Sequence, residues 1–184
     1  MSRLFAIGDT VNTDDWYTPA WVFNGLGLTF DLDVAAPIGG VSWVPALRSM
    51  SESDDGLTSP WHGTVWCNPP YSAPTAWCRK WATHPAGCLL IRADLSTGGP
   101  YVAVSAAHAI YVPQRRFQYV NGHGGKCNAV TFSTVLLGRG AHVIDAMHRL
   151  ASRAGGCTRT LANSSNDPQI LSSPDGTDAA TTAA

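Results

Sequence analysis

Charge is scarce in this sequence and nearly cancels: of 184 residues only 14% are Asp, Glu, Lys or Arg, and the formal net charge is −1. Bulk attraction to nucleic acid is therefore excluded, and any phosphate contact must rest on local basic residues. Long apolar runs are also lacking; none approaches the roughly 18 residues a membrane span needs. The start, Met1 to Asp9, is too short and too soon acidic for a secretory signal, so a cytoplasmic protein is expected. The cysteines, Cys67, Cys78, Cys88, Cys127 and Cys157, are odd in number, and no two stand as C-x-x-C. That argues against a disulfide framework and against a cysteine-ligated zinc site; most read as small buried hydrophobes. The six histidines show no H-E-x-x-H or other ligand spacing, so no metal is expected. Neither Ser72 nor Ser96 sits in G-x-S-x-G, which speaks against hydrolase chemistry. The stretch Gly122-His-Gly-Gly-Lys126 lacks the spacing of a phosphate loop, and Cys127 stands where Ser or Thr is required.

What is present is enough apolar residue, 45%, for one domain with one core. Thr18 suits a helix N-cap and Pro19 the first helical position, with Trp21, Val22, Phe23 and Leu26 as an apolar stripe and Gly27 as terminator. Thr29 to Val34 alternates as a strand, placing Phe30, Leu32 and Val34 on one face and the acids Asp31 and Asp33 on the other. Pro37 to Pro60 is dense in Gly, Ser, Pro and Asp and reads as loop. Gly63 to Cys67 is a short strand, Thr75 to Thr83 a helix bearing Trp77 and Trp81, and Gly87 to Arg92 a further strand.

A helix from Pro100 to His108 follows, then strand-like pieces at Ala109 to Val112 and Arg116 to Val120. Ala129 to Leu137 is rich in Val, Thr and Phe, as strands are. Ala141 to Arg153 is helical, with His148 among its apolar side. From Gly155 to Ala184 large apolar residues are few, and a disordered tail is expected after a domain spanning 1–154. Strands alternating with helices predict an α/β sandwich on a mainly parallel sheet. The last two strands, joined only by a loop, should make an antiparallel edge hairpin.

Asn68-Pro69-Pro70-Tyr71 follows a strand directly, the place where open α/β sheets bind ligands. Alone, such a tetrapeptide can be no more than a rigid turn. Its composition also suits one chemical task. An exocyclic amino nitrogen is a poor nucleophile because its lone pair is delocalised into the ring. Two acceptors aimed at its hydrogens hold it toward a tetrahedral geometry and expose that pair. The Asn68 side-chain oxygen and the Pro69 carbonyl can be those acceptors, and the prolines hold them in place beforehand. Tyr71 offers a ring on which an extruded base can stack.

Four blocks stand in order: Asp15-Trp16-Tyr17-Thr18-Pro19, Leu32-Asp33-Val34-Ala35-Ala36, Asp55-Gly56-Leu57 through Trp61 and Gly63, and Trp66-Cys67-Asn68-Pro69-Pro70-Tyr71-Ser72. From about Asp15 to Leu137 the chain resembles the phage-type DNA N-6-adenine-methyltransferase (Dam) family. The resemblance implies a Rossmann-like methyltransferase sandwich, S-adenosylmethionine as cofactor, double-stranded DNA as partner and the host cytoplasm as location. It implies that Thr18 and Pro19 lie beside the methionine end of the cofactor and that Asp33 starts the cofactor loop. Asp55 would accept from the cofactor's adenine amino group with Leu57 packed nearby, and Asn68, Pro69, Pro70 and Tyr71 would form the catalytic motif.

The chain departs from methyltransferases in general at one place. The glycine-rich F-x-G-x-G loop is replaced by Asp33-Val-Ala-Ala-Pro37, and only 21 residues separate Asp33 from Asp55. The acid that grips the ribose hydroxyls has Glu52 and Asp54 as candidates, the alternative being solvated loop charges. Amino acceptors other than adenine, such as cytosine N4, RNA guanine or protein glutamine, also suit N-P-P-Y, because each presents a planar amino group; the four blocks together favour adenine in DNA. A non-catalytic DNA-binding module that has kept the fold is the alternative from another class. Arg115, Arg116 and the 122–126 loop either contact DNA phosphate or form an ordinary hairpin loop. The oligomeric state is not legible.

Overall fold

The structure, a computed structural model, describes residues 16–96, 98–121, 125 and 132–162. Six strands, β1 (Leu32–Asp33), β2 (Val65–Cys67), β3 (Gly87–Arg92), β4 (Ala109–Val112), β5 (Thr134–Arg139) and β6 (Cys157–Thr160), form one sheet in the order β1-β2-β3-β5-β4-β6. Four helices accompany it: α1 (Ala20–Leu26), α2 (Pro74–Thr83), α3 (Gly98–Ala106) and α4 (Ala141–Ala154). The central strands are apolar along their length because both faces are covered. Trp66, Cys88, Leu90 and Leu136 join Val22, Phe23 and Leu26 of α1 and Val143, Met147 and Leu150 of α4 in one core. Their neighbours Val65, Cys67, Leu89, Ile91, Val135 and Leu137 join Cys78 and Trp81 of α2 and Ala103 of α3 in the other. The period-2 alternation of strands therefore divides consecutive residues between two cores, and the expected α/β sandwich is present.

The sheet is mixed rather than mainly parallel. β1–β2 and β2–β3 pair in parallel, whereas β3–β5, β4–β5 and β4–β6 are antiparallel. Antiparallel β5 lies between β3 and β4, with Leu89 opposite Leu137 and Ile110 opposite Leu137 on its other side. The β4–β5 pair is consequently internal, and β6 is the edge. Because β5 is reversed against both neighbours, β4 runs in the same direction as β2 and β3.

Other expectations need correction. Residues 157–160, placed by composition in a structureless tail, form β6; its Thr158 hydroxyl donates to the Met147 carbonyl at 2.9 Å, tying the strand to α4. Arg116 to Val120 is no ladder strand: it pairs only at Val120, which exchanges both backbone bonds with Tyr17, while Phe117 and Tyr119 are buried. Of the two acids on the second face of β1, Asp31 is exposed while Asp33 is only 5% exposed, and the 46–50 segment pairs alongside the strand through bridges at Ala46 and Ser49. The first helix takes Pro19 as its N-cap, one residue later than expected, and Gly27 ends it at φ 56°, a left-handed conformation that glycine adopts freely. Trp21 and His148, expected on apolar stripes, are exposed. Most of the 122–126 loop, the start of the strand expected at Ala129 and the tail beyond Ala162 lie outside the described residues.

Candidate active site

β2 stops at Cys67 because Pro69 and Pro70 have no N–H to extend a ladder. The chain turns at Pro70, whose carbonyl accepts from Ala73 N at 3.3 Å, and α2 starts at Pro74. Asn68 is thus held at the carboxyl edge of the sheet. Its side-chain nitrogen donates to the Trp16 carbonyl at 3.0 Å, which settles the amide orientation, since a carbonyl accepts only from the nitrogen. The amide oxygen Oδ1 is left buried with no hydrogen-bond partner among the described residues. Desolvating such an acceptor costs about 1–3 kcal/mol, a cost that a donor on a bound molecule would offset. Trp16 Nε1 and Thr18 Oγ1 are buried and unpartnered in the same way. Buried polar atoms without partners call for an explanation, and a bound molecule supplies one.

An aromatic cluster adjoins the Asn68 loop through Trp16 and Tyr71. Trp16 lies nearly parallel to Tyr119 and Phe132, at centroid distances of 6.0 and 5.6 Å, and edge-on to Tyr71 at 6.2 Å. The Tyr71 and Tyr119 hydroxyls are 2.5 Å apart. Burial pushes Tyr119 up to about 12 and raises Tyr71 well above its ordinary value, so both stay protonated at neutral pH. The Arg92 guanidinium sits over the Phe132 ring at 4.0 Å and over Tyr71 at 5.7 Å, a cation–π arrangement.

Two clefts share the Pro69–Ser72 turn, and Asn68 is in the lining of neither. One, of about 770 Å³, is lined by Pro70 and Ser72 together with Tyr17, Glu52, Asp55 and Trp77. The other, of about 260 Å³, is lined by Pro69 and Tyr71 with Arg92 and Asp94. Asp55 stands at the rim of the larger cleft in a left-handed conformation, φ 45°, closing a 3-10 turn at Glu52–Asp54. Gly56 follows necessarily: a Cβ there would collide with the Val34 carbonyl and the Trp77 ring. Lys80 on α2 fastens the turn, its ammonium donating to the carbonyls of Gly56, Leu57 and Ser59 at 2.9, 2.9 and 2.5 Å. Partial burial lowers the Lys80 pKa, which the Asp55 charge opposes.

The structure brings only some of the sequence-derived residues together. Asp55 and Glu52 share the larger cleft, whereas the Asp54 carboxylate accepts from Ser51 N and Oγ at 2.8 and 2.9 Å as part of a capping box. Asp33 lies outside that lining, in a cleft of about 470 Å³ with Gly39, Gly40 and Ser49. Burial pushes its carboxyl up to about 7, against the lowering effect of its bond from Ala35 N. Thr18 and Pro19 are buried and are not in the lining of the larger cleft, which their neighbour Tyr17 does line, and Leu57 contributes its carbonyl to Lys80. Lys80, Arg92, Tyr119 and Phe132 were not legible as site residues: each reaches the site from a distant segment, with no local pattern announcing it. Among the described residues no group of three or more His, Cys, Asp or Glu could hold a metal ion, and no helix is long and apolar enough to cross a membrane.

Residues 8–138 match the family described as DNA N-6-adenine-methyltransferase (Dam). No curated protein and no solved structure matches.

Proposed function

The chain belongs to the DNA N-6-adenine-methyltransferase (Dam) family, and from that premise we propose that it is a site-specific enzyme carrying a methyl group from S-adenosylmethionine to adenine N6 in double-stranded DNA. The observation that carries the reading is Asn68: its amide is locked by the Trp16 carbonyl, its oxygen is buried without a partner among the described residues, and the residues that follow it, Pro69 to Ser72, line two clefts. The larger cleft suits the cofactor. Its volume is within the usual range for ligand sites, the Asp55 and Glu52 carboxylates match amino and hydroxyl donors, and Gly56 leaves room where a side chain would intrude. A Rossmann-like methyltransferase sandwich is the finer fold reading, supported by the position of these clefts at the carboxyl ends of the strands.

When bound, S-adenosylmethionine supplies an electrophilic methyl on a sulfonium. The protein's part is positioning. Asn68 Oδ1 and the Pro69 carbonyl accept the two amino hydrogens and turn the nitrogen lone pair toward the larger cleft. Tyr71, Trp16 and Phe132 supply apolar ring surface for a base extruded from the duplex, at a cost of a few kcal/mol. Because Oδ1 is closed off, admitting the base includes a displacement of this aromatic wall. No side chain is required as general base, since the proton can leave after the methyl has transferred.

The test is incubation of unmethylated duplex with labelled cofactor, followed by nucleoside analysis. N6-methyl-2′-deoxyadenosine formed by the wild type and far more slowly by Asn68→Ala is expected; label in deoxycytidine alone, or none, overturns it. A second reading, a DNA-binding module without catalysis, is favoured by the short cofactor region, where residues 34–54 hold one 3-10 turn and isolated bridges in place of a strand–helix–strand. Absence of measurable S-adenosylmethionine affinity would select it.

A further inference from the structure

At the end of β4 the chain opens a groove of about 500 Å³ that the methyl-transfer site does not use, lined by Trp21, Gln114, Arg115, Arg116, Gln118 and Arg153, among others, and by no acid. In a chain of net charge −1, such a concentration of arginine free of acids needs an explanation. Most arginines near the fold's helices are engaged. Arg149 donates to Leu26 O, Arg153 to Asn24 O and Gly25 O, and Arg139 to Ala82 O and Ala106 O. Arg115 and Arg116 are exposed and bond to nothing among the described residues. Two guanidinium groups on adjacent residues, with two glutamine amides and a tryptophan 38% exposed on the rim, form a surface for anions rather than for another apolar chain.

Placement supplies the partner. β4 runs parallel in direction to β2 and β3, so the 113–118 segment leaves the same edge of the sheet as the Asn68 loop and Arg92. A continuous line of rings joins the two places: Trp21 to Phe117 at 5.2 Å, Phe117 to Tyr119 at 6.2 Å, and the Tyr119 hydroxyl to that of Tyr71 at 2.5 Å. We propose that this groove docks the phosphate backbone of duplex DNA beside the extruded base, Arg115 and Arg116 each engaging a phosphate. The proposal rests on the reading that the Asn68 site acts on DNA. It also explains how a chain with no net positive charge holds a polyanion: the affinity comes from a few local contacts, which release counterions as they form.

The experiment compares the wild type, the Arg115→Ala/Arg116→Ala pair and the Arg115→Lys/Arg116→Lys pair. Fluorescence anisotropy follows a labelled duplex at several salt concentrations, with melting temperature and S-adenosylmethionine affinity measured alongside. The alanine pair should bind DNA on the order of 10- to 100-fold more weakly on every sequence tried, with a salt slope smaller by about 2. Cofactor affinity and melting temperature should be unchanged, and the lysine pair should keep a near wild-type slope. Wild-type affinity and slope in the alanine pair overturn the docking surface while leaving the methyltransferase reading intact. So does a lysine pair as weak as the alanine pair, because charge would then not be the cause. A loss confined to some sequences indicates base reading and also overturns it. A wild type that neither binds nor methylates duplex DNA removes both readings together.

Discussion

Asp33→Asn tests the electrostatics of the site edge directly. The carboxyl is 5% exposed, and burial pushes its pKa from 3.8 to about 7. Burial penalises the ionised form, so the native protein holds this proton to higher pH than the unfolded chain does. Below about pH 4 both states are protonated and nothing is lost. Between about pH 4 and 7 the native state binds more protons than the unfolded one, so stability falls as pH rises, by at most roughly 1.4 kcal/mol per pH unit. Above about 7 the loss is complete, and the gap between 3.8 and about 7 corresponds to roughly 4 kcal/mol. Asparagine keeps an oxygen for the bond from Ala35 N, 3.3 Å in the native protein, but never ionises. At 2–4 °C per kcal/mol for a chain of this length, the variant should melt on the order of 10 °C above the wild type at pH 8. Near pH 4.5 the two should almost coincide. Thermal melts by circular dichroism from pH 4.5 to 8.5 measure this, and titrations common to both proteins cancel in the difference. Parallel curves, or a wild type that gains on the variant as pH rises, would refute a buried, neutral-leaning Asp33.

Asn68→Ala should slow methyl transfer by about 10²–10³ with cofactor affinity unchanged by calorimetry; a wild-type rate would reduce N-P-P-Y to a turn. Asp55→Ala should weaken S-adenosylmethionine binding by roughly 1.5–3 kcal/mol. Lys80→Ala should weaken it too, by loosening the Gly56–Ser59 carbonyls, and unchanged affinity in both would move the cofactor elsewhere. Tyr71→Phe loses the hydroxyl contact with Tyr119, so it should cost about 0.5–1.5 kcal/mol of stability while methylation persists; a rate as low as that of Tyr71→Ala would give the hydroxyl a direct role. Truncation after Gly155 removes β6 and bares β4 as a sheet edge. Relative to a chain ending at Ala162, it should lower the melting temperature by several degrees and promote aggregation, and equal melting would contradict the structural role of β6.

Local chemistry was enough for the elements whose environment is written in their own residues. Gly87–Arg92 and Ala109–Val112 are apolar runs too short for helices, and the structure has strands with those bounds. Asn68 to Tyr71 announces itself because two prolines after a strand must break the ladder and fix two acceptors. Tertiary structure alone decided the order of the strands, since β5 enters between β3 and β4 through long-range packing that leaves no trace in a period-2 pattern. It turned Cys157–Thr160, polar by composition, into the edge strand by offering it the free backbone of β4. It buried Asp33 but left Asp31 exposed, a difference that their shared place in the alternation does not show. It also built the aromatic cluster from Trp16, Tyr71, Tyr119 and Phe132, and aimed the Asn68 amide through a carbonyl 52 residues away. Residue type sets what a group can do, but which groups meet depends on contacts between distant segments, and no local periodicity encodes those.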